Sequence, residues 1–368
     1  MPNSRSAIVP GGRTVRFLVA TASLVVVVAG LRAAAPVLIP VMLAIFLAFL
    51  GYPILQWLVK HRVRTSLAVL VTVLLECAAL SVLGFLLINA INNFAKVAPG
   101  YVRKLVAKSR AGLESLQARG IELPEWLSLD VDPGSLAELV GGLLRDTVFG
   151  VASFLSYMAL VLIVLTCVLY EVVALPEKLQ VAWSGSQNAS RYLQRVIDDV
   201  QRYLGVKTVV SVATGVFVGL WVWLLDMPFP LLWAAVAFLL NYIPAIGSIL
   251  AAIPAVLVSI VQQGPGHALM VGLGYVVVNL VLGNVIEPRL MGRRFGLSTL
   301  VVFLAMIFWG WVWGPVGMLL SIPLTMVLKI VLEQTVELRW IAVLLGRPVQ
   351  RTDAEAAVTA GERNASQI

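Results

Sequence analysis

Residues 67–88 read LAVLVTVLLECAALSVLGFLLI, an apolar run with one charged side chain, Glu76, and residues 154–170, FLSYMALVLIVLTCVLY, carry none. At about 1.5 Å per residue, a helix of about 20 such residues crosses the roughly 30 Å hydrocarbon core of a bilayer. Runs of this kind recur along the chain and mark it as a protein of the lipid phase. The composition agrees: 60% of residues are hydrophobic, 12% are charged and the mean hydropathy is +0.94, far from a soluble domain. The net charge of +8 does not point to nucleic acid. Lys and Arg gather in short stretches between apolar runs, which is where membrane topology needs them.

Spanning segments are expected at about 17–34, 37–59, 66–91, 151–173 and 207–225. The N-terminal run resembles a signal peptide ending in LRAAAP, but Pro36 directly after the A-x-A site and further apolar sequence predict an uncleaved helix. Cys77 and Cys167 sit inside apolar runs and read as small core residues, not a disulfide. The predicted organisation is a cytoplasmic tail (1–16), three membrane helices (17–91), an external helical arm (92–150), a fourth helix (151–173), a cytoplasmic amphipathic linker (174–206), a core (207–335) and a cytoplasmic C-terminal tail (336–368). Within the arm, Val102, Leu105 and Val106, then Leu136, Leu139, Val140 and Leu143, recur at helical spacing, and Asp132-Pro133 reads as a helix start.

Arg5, Arg13 and Arg16 place the N-terminus in the cytoplasm, and KHRVR at 60–64 returns there after two spans. The arm then lies outside, the linker with Lys178, Arg191, Arg195, Arg202 and Lys207 inside, and the DMPFP loop at 226–230 outside. Residues 231–262 break this pattern. As one straight helix they would measure about 48 Å, too long for a simple crossing, and a single crossing would put Arg289, Arg293 and Arg294 on the wrong side. NYIPAIGSILAAIP, from residue 241, contains the break that lets this stretch enter and turn back. The same holds for 299–332, interrupted by WGWVWGPVGMLLSIP, whose return brings Arg339, Arg347 and Arg351 to the cytoplasm.

Prolines and open turns free backbone groups that lipid cannot satisfy, so broken helices persist where protein or a hydrated cavity surrounds them. Transporters build midplane sites from such ends. Asn241, Pro244 and Gly247 at the first break, and Gly314, Pro315 and Gly317 at the second, are therefore candidates to line a solute path and are expected to face one another; the alternative is that they only permit kinks or close packing. NLVLGNVIEPRLMGRR places Asn279, Gly283 and Glu287 on one face of an α-helix, with Asn284 beside it and Pro288, Arg289, Gly292 and Arg293 in the cytoplasmic loop. Glu287 is a candidate for ion coupling or an interfacial charge. Glu76 is either a second coupling carboxyl or a protonated packing residue. No G-x-x-x-x-G-K-[ST] phosphate loop occurs, so transport would draw on an ion gradient or be facilitated. His61 and His267 lie far apart, and no nucleophile–base pair or metal-ligand cluster is evident: neither enzyme chemistry, a metal nor a cofactor is expected.

LLWAAVAFLLNYIPAIGSILAAIPAVL, followed by GYVVVNLVLGNVIEPRLMGRRFGLSTLVVFLAMIFWGWVWGPVGMLLSIPLTMVLKI, closely resembles the AI-2E family of membrane transport proteins, named for the autoinducer-2 exporter. The likeness is strong over about 200–335, and its layout extends from about residue 15. It implies an all-α, polytopic bacterial inner-membrane protein of about eight membrane segments, two of them re-entrant hairpins, with a small extramembrane arm. It also implies a homo-oligomer that exports a small polar solute or, as an antiporter, exchanges sodium for protons. An oligomeric channel-like facilitator and a non-transporting scaffold are the alternatives.

Overall fold

The computed structural model describes residues 11–118, 133–182, 187–244, 246–291, 298–334 and 344–345. Among them every regular element from Gly11 to Gln334 is a helix. The order is α1 (Gly11–Ala33), α2 (Ala35–Lys60), α3 (Thr65–Ala118), α4 (Pro133–Ala182), α5 (Gln187–Leu224), α6 (Pro230–Leu240), α7 (Gly247–Gln262), α8 (Pro265–Val278), a π-helical segment (Asn279–Ile286), α9 (Glu287–Met291) and α10 (Thr299–Gln334). Outward-facing residues stay apolar, as at Phe85, Ile163, Trp223 and Leu269, a distribution that suits lipid and not water. The protein is a polytopic helical membrane protein.

Two packed groups of helices make up the body. In the first, Ala44, Ala48 and Leu55 of α2, Ala68 and Val69 of α3, and Val161, Leu165 and Leu169 of α4 share a buried cluster. In the second, Val218 and Val222 of α5, Trp233 and Ala237 of α6, Ala251 and Ala255 of α7, and Val271 and Tyr275 of α8 do the same. Small residues facing large ones let antiparallel helices approach closely. Phe94 of α3 bridges the groups, edge-on to Trp233 at 5.8 Å and to Phe229 at 5.9 Å between ring centroids.

The helices run straight through the boundaries at 91/92, 150/151, 173/174 and 206/207. Polarity changes there, but no cap or proline stops the backbone; even Pro99 lies inside α3. Pro133 does open α4, as a fixed φ and an absent N–H suit a first helical residue. Asp132, Trp126 and both chain ends lie outside the described residues. Both cysteines are free, and Cys167 is exposed on its helix surface, not part of a core as its apolar run suggested.

Both expected hairpins form. Residues 241–244 and 246 belong to the turn that takes α6 back into α7. In α10, Trp313 (φ −127°, ψ 15°) and Gly314 (φ 63°, ψ −146°) leave helical geometry, and the Trp309 Nε1 donates to Thr325 Oγ1 at 3.1 Å. Residues 309 and 325 would be about 24 Å apart on a straight helix, so the two halves of α10 fold against each other.

The two turns meet different parts of α2, although Val316 in the second packs against the cluster that holds Tyr242 of the first. The second inserts Trp313 at the α1–α2 junction, where its Nε1 donates to Leu31 O at 3.1 Å. The first rests Tyr242 on Phe46 of α2, ring centroids 6.1 Å apart, which is about 16 Å further along that helix than Ala35. Between them lies an apolar cluster containing Phe46, Leu204, Tyr242, Leu320 and Met326. The indoles of Trp309 and Trp313 fill the end where an open path was expected, packed with Val312 and Ala305 against α1 and α2.

Candidate functional site

Three of the buried polar side chains lie along one helix. Along α5, Lys207, Ser211 and Thr214 recur at i, i+4 and i+7, the spacing of a single helical face, and all three are buried. What buries them is the first hairpin. Gly215 and Gly219 continue the face, and a Cβ at either would lie 2.8 Å from Ala234, against its carbonyl oxygen or its Cβ. Their bare backbone lets α6 lie directly on α5, bringing the hairpin turn level with Ser211.

At the turn, the buried Asn241 donates through Nδ2 to Ser211 Oγ at 2.9 Å, and Tyr242 OH donates to Thr208 Oγ1 at 2.8 Å. The amides of Asn241, Tyr242 and Ile243 donate to the carbonyls of Ala237, Leu239 and Leu240, and that of Ile246 to Pro244. Gly247 is required by close approach, because a Cβ there would collide with the Leu240 carbonyl. The turn thus presents side-chain groups to α5.

One turn along α5, about 6 Å away, Lys207 Nζ donates to both oxygens of Glu287, at 2.9 and 3.0 Å. The ammonium side chain is 7% exposed and the carboxylate 16%. Such a pair is held by mutual neutralisation, since either charge alone would be stranded. Glu287 opens α9 directly after the π-helical segment. The π winding, with its i→i+5 bonds, replaces the α-helical face expected through Asn279, Gly283 and Glu287. Asn279 instead lines a groove between α7 and α8 of about 690 Å³, with Ser248 at the same end, while Glu287 turns to α5.

Asn284, Pro288 and Arg289 are exposed, and Gly292 and Arg293 lie outside the described residues. Glu76 is not part of this arrangement; it is buried in the other group of helices, against Gly51 of α2. Among the described residues no group of three or more His, Cys, Asp or Glu could hold a metal ion. Lys207 and Ser211 were missed as site residues in the sequence, where Lys207 counts simply as one more cytoplasmic charge. The available signal was their four-residue spacing on a helix that also carries small residues at 215 and 219.

The description "AI-2E family transporter" matches residues 21–337. The chain belongs to the AI-2E family. It is 40% identical over 331 residues to the "AI-2 transport protein TqsA" of Escherichia coli K12, a match covering 90% of this chain and 95% of that protein. The "Putative transport protein YhhT" of the same organism is 35% identical over 345 residues, covering 93% and 98%. A "Putative transport protein" of Haemophilus influenzae is 37% identical over 344 residues, covering 90% and 96%. Like its AI-2E relatives, the chain is a membrane transport protein. The match takes in both hairpins, the α5 face and the Lys207–Glu287 pair.

Proposed function

We propose that this AI-2E family protein is a secondary exporter of a small polar solute or signal. The solute moves along the polar face of α5, between the turn at Asn241 and the π-helical segment, and Glu287 couples that movement to Na+ or H+. The observation that carries this reading is the Lys207–Glu287 pair, its ammonium buried and its carboxylate partly so, beside a re-entrant turn. A carboxylate whose only bonded counter-charge is an internal ammonium accepts a proton or a metal cation when the two helices part. Its neighbours Ser211, Thr208 and Asn241 supply the hydrogen-bonding groups that a polar solute needs in place of water.

The name of TqsA makes AI-2 the first solute to test. The expected setting is a homo-oligomer in a bacterial inner membrane, with both termini and Arg293 cytoplasmic and the arm around Trp126 outside, acting without enzyme chemistry. A cysteine at 126 should then react with an impermeant reagent in intact cells, and one at 293 should not.

Flux into proteoliposomes under imposed sodium or proton gradients tests the coupling. Glu287→Gln should abolish gradient-driven transport while leaving expression and oligomer size unchanged. If the variant still concentrates solute against its gradient, Glu287 is an interfacial charge. Flux that merely dissipates solute gradients, indifferent to ions in both forms, would instead mark a channel-like facilitator.

A further inference from the structure

The body holds a second buried carboxyl that the α5 site does not use. Glu76 is 8% exposed, and among the described residues neither of its oxygens has a hydrogen-bond partner. It lies directly on α2 at Gly51: a Cβ at that glycine would collide with Glu76 Oε1 and come within 2.8 Å of the Thr72 side chain. Thr72 offers nothing in exchange, because its hydroxyl donates to Ala68 O at 2.8 Å.

Among the described residues no charged side chain is bonded to it. Of the helices packed on α2, α5 carries Asp198, Asp199, Arg202 and Lys207 and α10 carries Lys329 and Glu333, with Lys207 paired to Glu287 and Lys329 to Glu333. Residues 36–59 of α2 contain no Asp, Glu, Lys or Arg, nor do 147–170 of α4 or 230–262 of α6 and α7, and Glu76 is the only such residue in 65–95 of α3. The other titratable side chains on these stretches that bear on the contact are Tyr52, Cys77, Tyr157, Cys167 and Tyr170, none of them bonded to Glu76. An unpaired carboxylate in such surroundings is far costlier than a neutral acid.

The opposite wall is the weak part of α2. Pro53, two residues past Gly51, lies inside the helix and removes one backbone hydrogen bond there, a common cause of helix bending. We propose that Gly51, Thr72 and Glu76 form a proton-binding site in which the carboxyl is closed off by α2 and gives up its proton when α2 bends away at Pro53. The site is separate from Glu287 and stands whether or not Glu287 couples transport.

Infrared spectroscopy of the reconstituted full-length protein tests this without a transport assay. The spectrum should contain the carbonyl stretch of a protonated carboxyl that is absent from Glu76→Gln, and this component should fade as pH is raised. Glu76→Gln, a neutral mimic of similar shape, should keep the wild-type melting temperature and oligomer size, whereas Gly51→Ala should shift the band by displacing the carboxyl. A band insensitive to pH over the range the protein survives would overturn the proposal in favour of fixed packing. A spectrum unchanged by Glu76→Gln would overturn it outright. Loss of the band on adding sodium at constant pH would replace it with a metal-cation site.

Discussion

Both hairpins break a membrane helix with glycine and proline, yet they spend the break differently. The α6–α7 turn sets Asn241 and Tyr242 against Ser211 and Thr208 of α5, one helical turn from the Lys207–Glu287 pair. The α10 turn sets Trp309 and Trp313 into an apolar cluster against α1 and α2, with one indole N–H on Leu31 O and the other on Thr325. The first turn is a polar contact with a mid-helix surface; the second is an aromatic anchor at a helix junction. A broken helix is therefore not by itself a sign of a site. What the break presents, and to which neighbour, decides.

The sharpest way to break this contrast is to remove one charge beside the first turn. Lys207→Met strands the Glu287 carboxylate and should cost about 3–5 kcal/mol, read as a large drop in melting temperature of the detergent-solubilised protein. Lys207→Met combined with Glu287→Met should recover most of it. If the single variant melts like the wild type, the pair is solvated and the polar half of the comparison falls.

Next come the two turn glycines. Gly247→Ala drives a Cβ into the Leu240 carbonyl and forces the polar turn to open, so flux should fall by much more than the amount of folded protein. Gly314→Ala meets no atom within 4 Å but holds alanine at φ 63°, ψ −146°, a strain of about 1–3 kcal/mol. It should lower abundance and flux together. Equal behaviour of the two variants would erase the distinction between site and anchor.

The smallest effects separate single hydrogen bonds. Ser211→Ala leaves the buried Asn241 amide without its partner, at about 1–3 kcal/mol, and should alter the apparent affinity for solute. Trp313→Phe gives up the bond to Leu31 for about 1 kcal/mol, and flux per folded molecule should stay at the wild-type level.

Much of this was legible from residues alone. Apolar run lengths and the placement of Arg289, Arg293 and Arg294 demanded two re-entrant hairpins, because lipid thickness and loop charge constrain topology directly. Which neighbour each hairpin turn meets was not legible: Gly and Pro mark where a backbone turns and say nothing about which helix the turn meets. Trp309, Trp311 and Trp313 look alike in sequence, yet the first and third are buried and the second is exposed. Lys207 was hidden by the charge rule itself, which assigns loop cations to topology and is silent on a cation drawn back into the body. Winding at Asn279–Ile286 was equally invisible, since eight apolar-rich residues fit α and π periodicity alike. That α3 and α4 run on as helix past the expected spans 66–91 and 151–173 was not legible either, because a change in polarity does not mark a change in backbone.

That last point has a mechanical side. At the end of the first hairpin remote from its turn, Lys108 Nζ donates to the carbonyls of Ile260 and Val261, at 3.2 and 2.8 Å, and Gln262 Nε2 donates to Tyr101 OH. These contacts belong to α3, whose 54 residues form a rod about 80 Å long that also carries Glu76. A hairpin clamped to such a rod cannot tilt alone. It must release Tyr101 and Lys108, bend α3 at Pro99, or swing α3 as a lever, and in the last case a small displacement beside Asn241 reappears, enlarged, at the far tip of the helix and is felt along the way at Gly51.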